Sequence, residues 1–127
     1  MLQVGDSLPN FSVINQDEKL INSNDFVGKK LVVFFYPKAS TPGCTAEVCN
    51  LRDSYKELLD ADFALLGVSA DSAKRQKNFI EKNNLPFDLL ADEERNVIEK
   101  FGVWQLKKFM GREFMGIVRT TFVFDVN

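Results

Sequence analysis

An α/β fold, with helices on both faces of a central mixed β-sheet, is what this sequence predicts. Leu31-Val32-Val33-Phe34-Phe35-Tyr36 is a continuous apolar, largely β-branched and aromatic run, as expected of a strand buried on both faces. Apolar runs then alternate with stretches of helical period, the pattern of a layered α/β sheet. No repeat, low-complexity tract or linker interrupts the 127 residues, so residues 1–127 read as one domain. That length buries a core without metal or disulfide staples.

The elements follow in order. Phe11-Ser12-Val13 and Lys19-Leu20-Ile21, parted by Asn15-Gln16-Asp17-Glu18, predict an N-terminal hairpin. After the central strand, one helix is expected from Cys44, because Cys44, Val48, Leu51, Tyr55, Leu58 and Leu59 fall on one face at 100° per residue. Phe63 to Ser69 reads as a second buried strand. Asp71 or Ser72 caps a helix to about Asn83, with Phe79 and Ile80 inward. Pro86 breaks that pattern, and Phe87 to Ala91 forms a short strand. Asp92 starts a helix through Val97, Ile98 and Phe101, stopped by Gly102. Trp104 reads as core, and Lys107-Lys108 with the repeated Phe-Met-Gly (Phe109 to Gly111, Phe114 to Gly116) as a loop beside the site. Thr120 to Val126 is the last strand.

Composition narrows the function. A net charge of −2 and a pI near 5.2 argue against a general nucleic-acid or anionic-membrane binder. The longest apolar run is too short to span a bilayer. Met1-Leu2-Gln3-Val4-Gly5-Asp6 lacks the regions of a signal peptide, so a cytoplasmic protein is expected. With no histidine, Cys-His and Ser-His pairs and histidine-bearing zinc sites are excluded. Two cysteines do not make a disulfide scaffold, and in a reducing compartment such thiols are reactive or incidental.

One segment concentrates the chemistry. In Thr41-Pro42-Gly43-Cys44, Thr41 suits an N-cap and Pro42 the first helical position, while Gly43 admits a close neighbour. Cys44 then falls in the first helical turn, where unpaired amides and the helix dipole favour a negative sulfur. For any thiol, a larger thiolate fraction comes with weaker nucleophilicity (Brønsted slope about 0.4–0.5), so the net gain is only a few-fold. Large acceleration needs groups that stabilise the transition state. The bland alternative is a small buried thiol on an apolar helical face. Cys49 sits about 140° around that helix with its Cα roughly 8–9 Å away. Disulfides need Cα atoms within about 7 Å, so pairing requires the helix to unwind. Cys49 also reads as an incidental half-buried residue.

Phe35-Tyr36-Pro37-Lys38, Thr41-Pro42-Gly43-Cys44-Thr45, Glu47, Cys49 and Leu51-Arg52-Asp53 together resemble the peroxiredoxins, in particular the bacterioferritin comigratory protein or PrxQ subgroup. The likeness runs on through Leu66-Gly67-Val68-Ser69, Phe101-Gly102-Val103-Trp104, Phe109-Met110-Gly111, Gly116-Ile117 and Arg119. It covers essentially the whole chain and implies a thioredoxin-like fold. By resemblance, Cys44 is the peroxidatic cysteine, whose thiolate takes a peroxide oxygen and becomes a sulfenic acid. Thr41, otherwise simply a cap, would accept a hydrogen bond from the peroxide. Arg119, otherwise an ordinary strand-end ion-pair partner, would favour the thiolate and the charge that builds as the O–O bond breaks. Pro37, otherwise a strand terminator, would screen the sulfur from water. Glu47, otherwise a solvated helix charge, matches an acidic or amide residue that steers the arginine. Cys49 corresponds to the resolving cysteine, which forms an intramolecular disulfide. A thioredoxin-like reductant is implied, with a hydroperoxide as substrate, no metal or organic cofactor, and a monomer.

The family continues beyond a turn that Asp125-Val126-Asn127 resembles, through another strand and a closing helix. The expectation is a chain lacking both, with an exposed sheet edge. Two other functions compete with a peroxidase. A thiol–disulfide electron carrier fits the cysteine spacing poorly; a redox-sensing or holdase-like binding protein, or an inactive fragment, fits the missing segment.

Overall fold

In the computed structural model, which describes residues 2–125, the chain opens with the expected hairpin of β1 (Ser12–Ile14) and β2 (Leu20–Asn22). Asn15 fastens its turn, the side-chain oxygen accepting from the amides of Asp17 and Lys19 at 2.9 and 3.0 Å. There follow β3 (Lys30–Phe35), α1 (Pro42–Asp53), α2 (Tyr55–Asp60), β4 (Phe63–Ser69), α3 (Ala73–Asn83), β5 (Asp88–Ala91) and α4 (Asn96–Lys100). A second hairpin of β6 (Trp104–Phe109) and β7 (Arg112–Ile117) leads to β8 (Thr120–Phe124).

The central sheet has the order β5-β4-β3-β8. Its first three strands are parallel, and β8 runs antiparallel to β3, giving the mixed sheet predicted. Alternation along β3 divides the core into two layers. Leu31, Val33 and Phe35 pack with Val97, Ile98 and Phe101, while Val32, Phe34 and Tyr36 pack with Val48 of α1 and Phe79 of α3. Each such side chain taken fully from water contributes about 1.5–3 kcal/mol. The Phe35 and Phe101 ring centroids are 4.9 Å apart, and Phe122 of β8 lies 5.1 Å from Phe101. At the β5 edge, Gln16 from the first hairpin accepts from Leu89 N at 3.1 Å and donates to Asp88 at 2.8 Å. No helix among the described residues is long and apolar enough to cross a membrane.

Three expectations need correction. The helix after Cys44 is two helices, broken at Ser54 (φ −95°, ψ 1°), and Leu59 on the predicted apolar face is 49% exposed. Past the break, α2 instead aims Tyr55 at Phe87, with centroids 5.6 Å apart. Asp92 does not begin α4; it caps from a turn away, its carboxylate accepting from Asn96 N at 2.9 Å and Ile98 N at 2.8 Å. Burial pushes that carboxyl up, against the pull of the amides. Of the two candidate caps of α3 it is Ser72 that serves, accepting from Arg75 N at 3.2 Å, while Asp71 is buried. The segment read as a loop is the β6–β7 hairpin, turning at Met110 (φ 49°) and Gly111 (φ 77°) as a two-residue connection with both φ positive. Trp104, read as core, packs half-buried against the β3 core layer, with the Arg95 guanidinium 4.5 Å from its ring centroid. The last predicted strand ends at Phe124, and Val126 and Asn127, with the turn expected there, lie outside the described residues.

Candidate active site

β3 ends at the rim of the sheet, and its continuation is held there by Tyr36 N donating to Val68 O at 3.2 Å. A short loop then crosses to α1. Thr41 takes the extended N-cap conformation (φ −86°, ψ 150°), Pro42 fills the first helical position, and Thr45 N donates to Thr41 O at 2.8 Å. Cys44 therefore lies in the first turn of α1, 1% exposed. Sites in open α/β sheets gather at such strand-to-helix corners.

Arg119 reaches the same corner because β8 is antiparallel to β3. Phe35, the last residue of β3, faces Thr120, the first of β8, so the residue before β8 meets the start of α1. Its Nη2 donates to Cys44 Sγ at 3.2 Å and Nη1 to Gly43 O at 3.3 Å. Its Nε lies 2.9 Å from Glu47 Oε2, an ion pair without hydrogen-bond alignment. Gly43 faces the guanidinium at close quarters, and a Cβ there would stand in ordinary contact with Nη2 at 3.4 Å. Partial burial pushes the Glu47 carboxyl up, while the Arg119 charge draws it down. A guanidinium so gripped is a donor fixed beside the sulfur before any substrate arrives.

The other predicted residues are placed differently. Thr41 sits at the N-cap, yet its hydroxyl does not cap the helix; it donates backwards to Lys38 O at 2.9 Å. Ser40, at φ 63°, bends the loop so that this carbonyl comes within reach. Pro37 is half-buried directly after Tyr36, where the strand stops. Cys49 is half-buried, and its thiol donates to Asn83 Oδ1 at 3.6 Å at the end of α3. Arg52 Nη1 donates to Asn83 O at 2.6 Å beside it. The fold thus gathers Cys44, Arg119 and Glu47, sets Thr41 at the N-cap of the helix and Pro37 just past the end of β3, and holds Cys49 as a free thiol on the same helix as Cys44.

Sequence reasoning missed a buried polar network behind the loop. Tyr36 OH donates to Gln76 Oε1, and Gln76 Nε2 donates to Ser69 Oγ at 2.8 Å and Leu90 O at 2.9 Å. Ser69 Oγ and Ala39 N donate to Asp71 Oδ2 at 2.6 and 2.8 Å. Burial pushes the Tyr36 phenol up. The available signal was Gln76, a polar residue on the inward stripe of α3 with Phe79. A cleft of about 680 Å³ at the other end of the sheet, beside Lys30, Phe63 and Phe87, touches none of these groups. Convergent side chains, not free volume, mark the site.

The AhpC/TSA family profile matches residues 4–127. Peroxiredoxin Bcp of Escherichia coli (strain K12) is 46% identical over 126 residues, covering 99% of this chain and 81% of the relative. Among solved structures, peroxidoxin BcpB of Mycobacterium tuberculosis is 33% identical with a TM-score of 0.86, covering 99% of this chain and 80% of the other. The bacterioferritin comigratory protein of Xanthomonas campestris, solved in trapped intermediate and ligand complexes bearing on its alkyl peroxide reduction, is 32% identical. Its TM-score is also 0.86, over 91% of this chain and 74% of that one. The fold is thioredoxin-like, and proteins of this kind are thiol peroxidases. The chain belongs to the AhpC/TSA family of peroxiredoxins, alongside the Bcp and PrxQ proteins.

Proposed function

We propose that this peroxidase reduces hydrogen peroxide and organic hydroperoxides through Cys44, with Cys49 resolving the product and a thioredoxin-like dithiol restoring both. The Cys44 thiolate attacks one oxygen of ROOH. The S–O bond forms as the O–O bond breaks, the proton on the attacked oxygen passes to the leaving RO⁻, and ROH departs, leaving a sulfenate that takes a proton from water to become the sulfenic acid. Arg119 meets the negative charge spread over sulfur and oxygens, the Thr41 hydroxyl accepts from the hydroperoxide, and Pro37 limits water at the sulfur. Cys49 then displaces hydroxide from the sulfenic sulfur, which leaves as water, and a disulfide forms. Reduction by an external dithiol returns two thiols and carries the disulfide away.

The observation that carries this reading is the Arg119 Nη2 contact with Cys44 Sγ at 3.2 Å in the first turn of α1. A helix cysteine with no such partner would support a structural thiol instead. The Xanthomonas campestris relative, with its alkyl peroxide reduction, supports organic hydroperoxides as substrates. Two thiols free and close in sequence suit a reducing cytoplasm, and the working unit is taken as a monomer.

Intact mass after one equivalent of hydrogen peroxide tests it. The parent protein should lose two hydrogens, Cys49→Ser should gain oxygen, and Cys44→Ser should barely react. A Cys44→Ser variant that consumes peroxide as fast as the parent removes the assignment.

A further inference from the structure

Asp71, between β4 and α3, is 7% exposed and takes no part in the steps above. Its Oδ2 accepts from Ala39 N at 2.8 Å and Ser69 Oγ at 2.6 Å, and Oδ1 lies 3.6 Å from the Arg75 guanidinium. The N–H of Ala39 and the C=O of Lys38 belong to one planar peptide unit. Thr41 Oγ1 donates to that carbonyl at 2.9 Å. A single peptide is therefore clamped, with a buried carboxylate on its N–H side and the Thr41 hydroxyl on its C=O side.

We propose that Asp71 is a positioning residue which, through the Lys38–Ala39 peptide, fixes the Thr41 hydroxyl as a hydrogen-bond acceptor for the hydroperoxide. This rests on the role given to Thr41 under the proposed function. A hydroxyl carries one proton and two acceptor lone pairs. With its proton committed to Lys38 O, Thr41 can only accept from an arriving hydroperoxide. An anionic acceptor on the N–H polarises the peptide and strengthens its carbonyl as an acceptor, so the commitment is firmer. Ser40, between the clamped peptide and Thr41, is left-handed at φ 63°, a conformation that persists where its surroundings over-determine it. The carboxylate is itself anchored, since Ser69 is held by Gln76, and Gln76 by Leu90 O at the end of β5. The loop orientation is thus tied to the ends of β4 and β5 and to the first turn of α3.

The test compares two reagents at Cys44 in the full-length protein, with each cysteine followed separately by peptide mass. Hydrogen peroxide needs an acceptor at Thr41; iodoacetamide needs only an accessible thiolate. Asp71→Asn is expected to lower the peroxide rate roughly ten- to hundredfold while leaving the iodoacetamide rate within about twofold. Thr41→Val should show a similar selective loss, and adding Asp71→Asn to it should cost nothing more, because the two act through one peptide. Equal slowing with both reagents, or losses that multiply in the double variant, overturns the proposal. Should Asp71→Asn fail to unfold cooperatively, Ser69→Ala removes one donor to the same oxygen and should give a smaller loss in the same rate ratio. An unchanged ratio there also overturns it. A parent protein whose Cys44 takes peroxide no faster than Cys49 does would instead remove the peroxidase reading itself.

Discussion

Arg119 Nη2 lies 3.2 Å from Cys44 Sγ while its Nε sits 2.9 Å from Glu47 Oε2, so one guanidinium joins the sulfur to a carboxylate on the same turn of α1. The relationship follows from topology: β8 begins opposite the end of β3, where α1 also begins. The sulfur and the carboxylate both come from α1 and the guanidinium from the short connection between β7 and β8, and a donor already in place needs no reorganisation when charge develops. Arg119 remains 43% exposed, which leaves the corner open to a small oxidant, whereas Cys44 is almost fully covered.

Glu47→Gln separates activity from stability. Burial raises the folded-state pKa of Glu47 above its unfolded value, so the protonated form favours folding. That contribution is fully present below the unfolded pKa and is lost as pH rises through the folded one. Parent and variant should therefore be closest in stability at acid pH, with the parent falling behind towards neutral pH. At pH 7 the Gln variant is expected to be at least as stable, yet to react with peroxide roughly tenfold more slowly because Nε loses its ionic anchor. Denaturant unfolding at pH 4 and pH 7, beside stopped-flow peroxide kinetics, checks both halves. A variant less stable at pH 7 would mean that attraction to Arg119 outweighs burial.

Oxidation should loosen α1. An intact helix keeps the two Cα atoms roughly 8–9 Å apart, beyond the reach of about 7 Å for a disulfide. Amides of residues 43–49 are expected to exchange faster in the disulfide form than in the reduced form. Arg52→Ala removes the tie to Asn83 O and should speed disulfide formation a few-fold, leaving the first oxidation of Cys44 unchanged. Equal protection in both redox states would contradict the need to unwind.

Gly67→Ala should destabilise without touching the site. A Cβ there would lie 2.5 Å from Leu89 Cδ2 and 2.6 Å from Phe34 Cζ, both in the packed layer under α3. Overpacking of this kind costs about 1–3 kcal/mol, read as a lower urea midpoint at unchanged slope.

The parts of the fold legible in the sequence were those buried on both faces or closed by local chemistry. Leu31–Tyr36 and Phe63–Ser69 gave their strands away by unbroken apolar character, and Ser72 announced α3 by its cap. The β6–β7 hairpin stayed hidden because apolar residues fall on exposed faces: Leu106, Phe114 and Met115 are 57%, 46% and 48% exposed. An arm that leaves its apolar side chains in water does not follow the alternation that marks a half-buried strand. At the site, the place of Cys44 at the head of α1 was legible from the Thr-Pro-Gly turn, while the partners of Arg119 came only from the family resemblance, because it is the antiparallel register of β8 that brings residue 119 to residues 43–47. The inward turn of Asp71 was equally hidden, since in sequence it is indistinguishable from the neighbouring cap.

Stopped-flow oxidation of Cys44 by hydrogen peroxide in Arg119→Met, beside the parent protein, tests the centre of this account. The methionine keeps the unbranched stem and removes the charge and its donors. The second-order rate constant is expected to fall roughly a hundredfold or more, with Arg119→Lys recovering only part because it lacks the planar fork. An Arg119→Met variant oxidised at the parental rate would show that the guanidinium beside the sulfur is a structural tie and not the source of its reactivity.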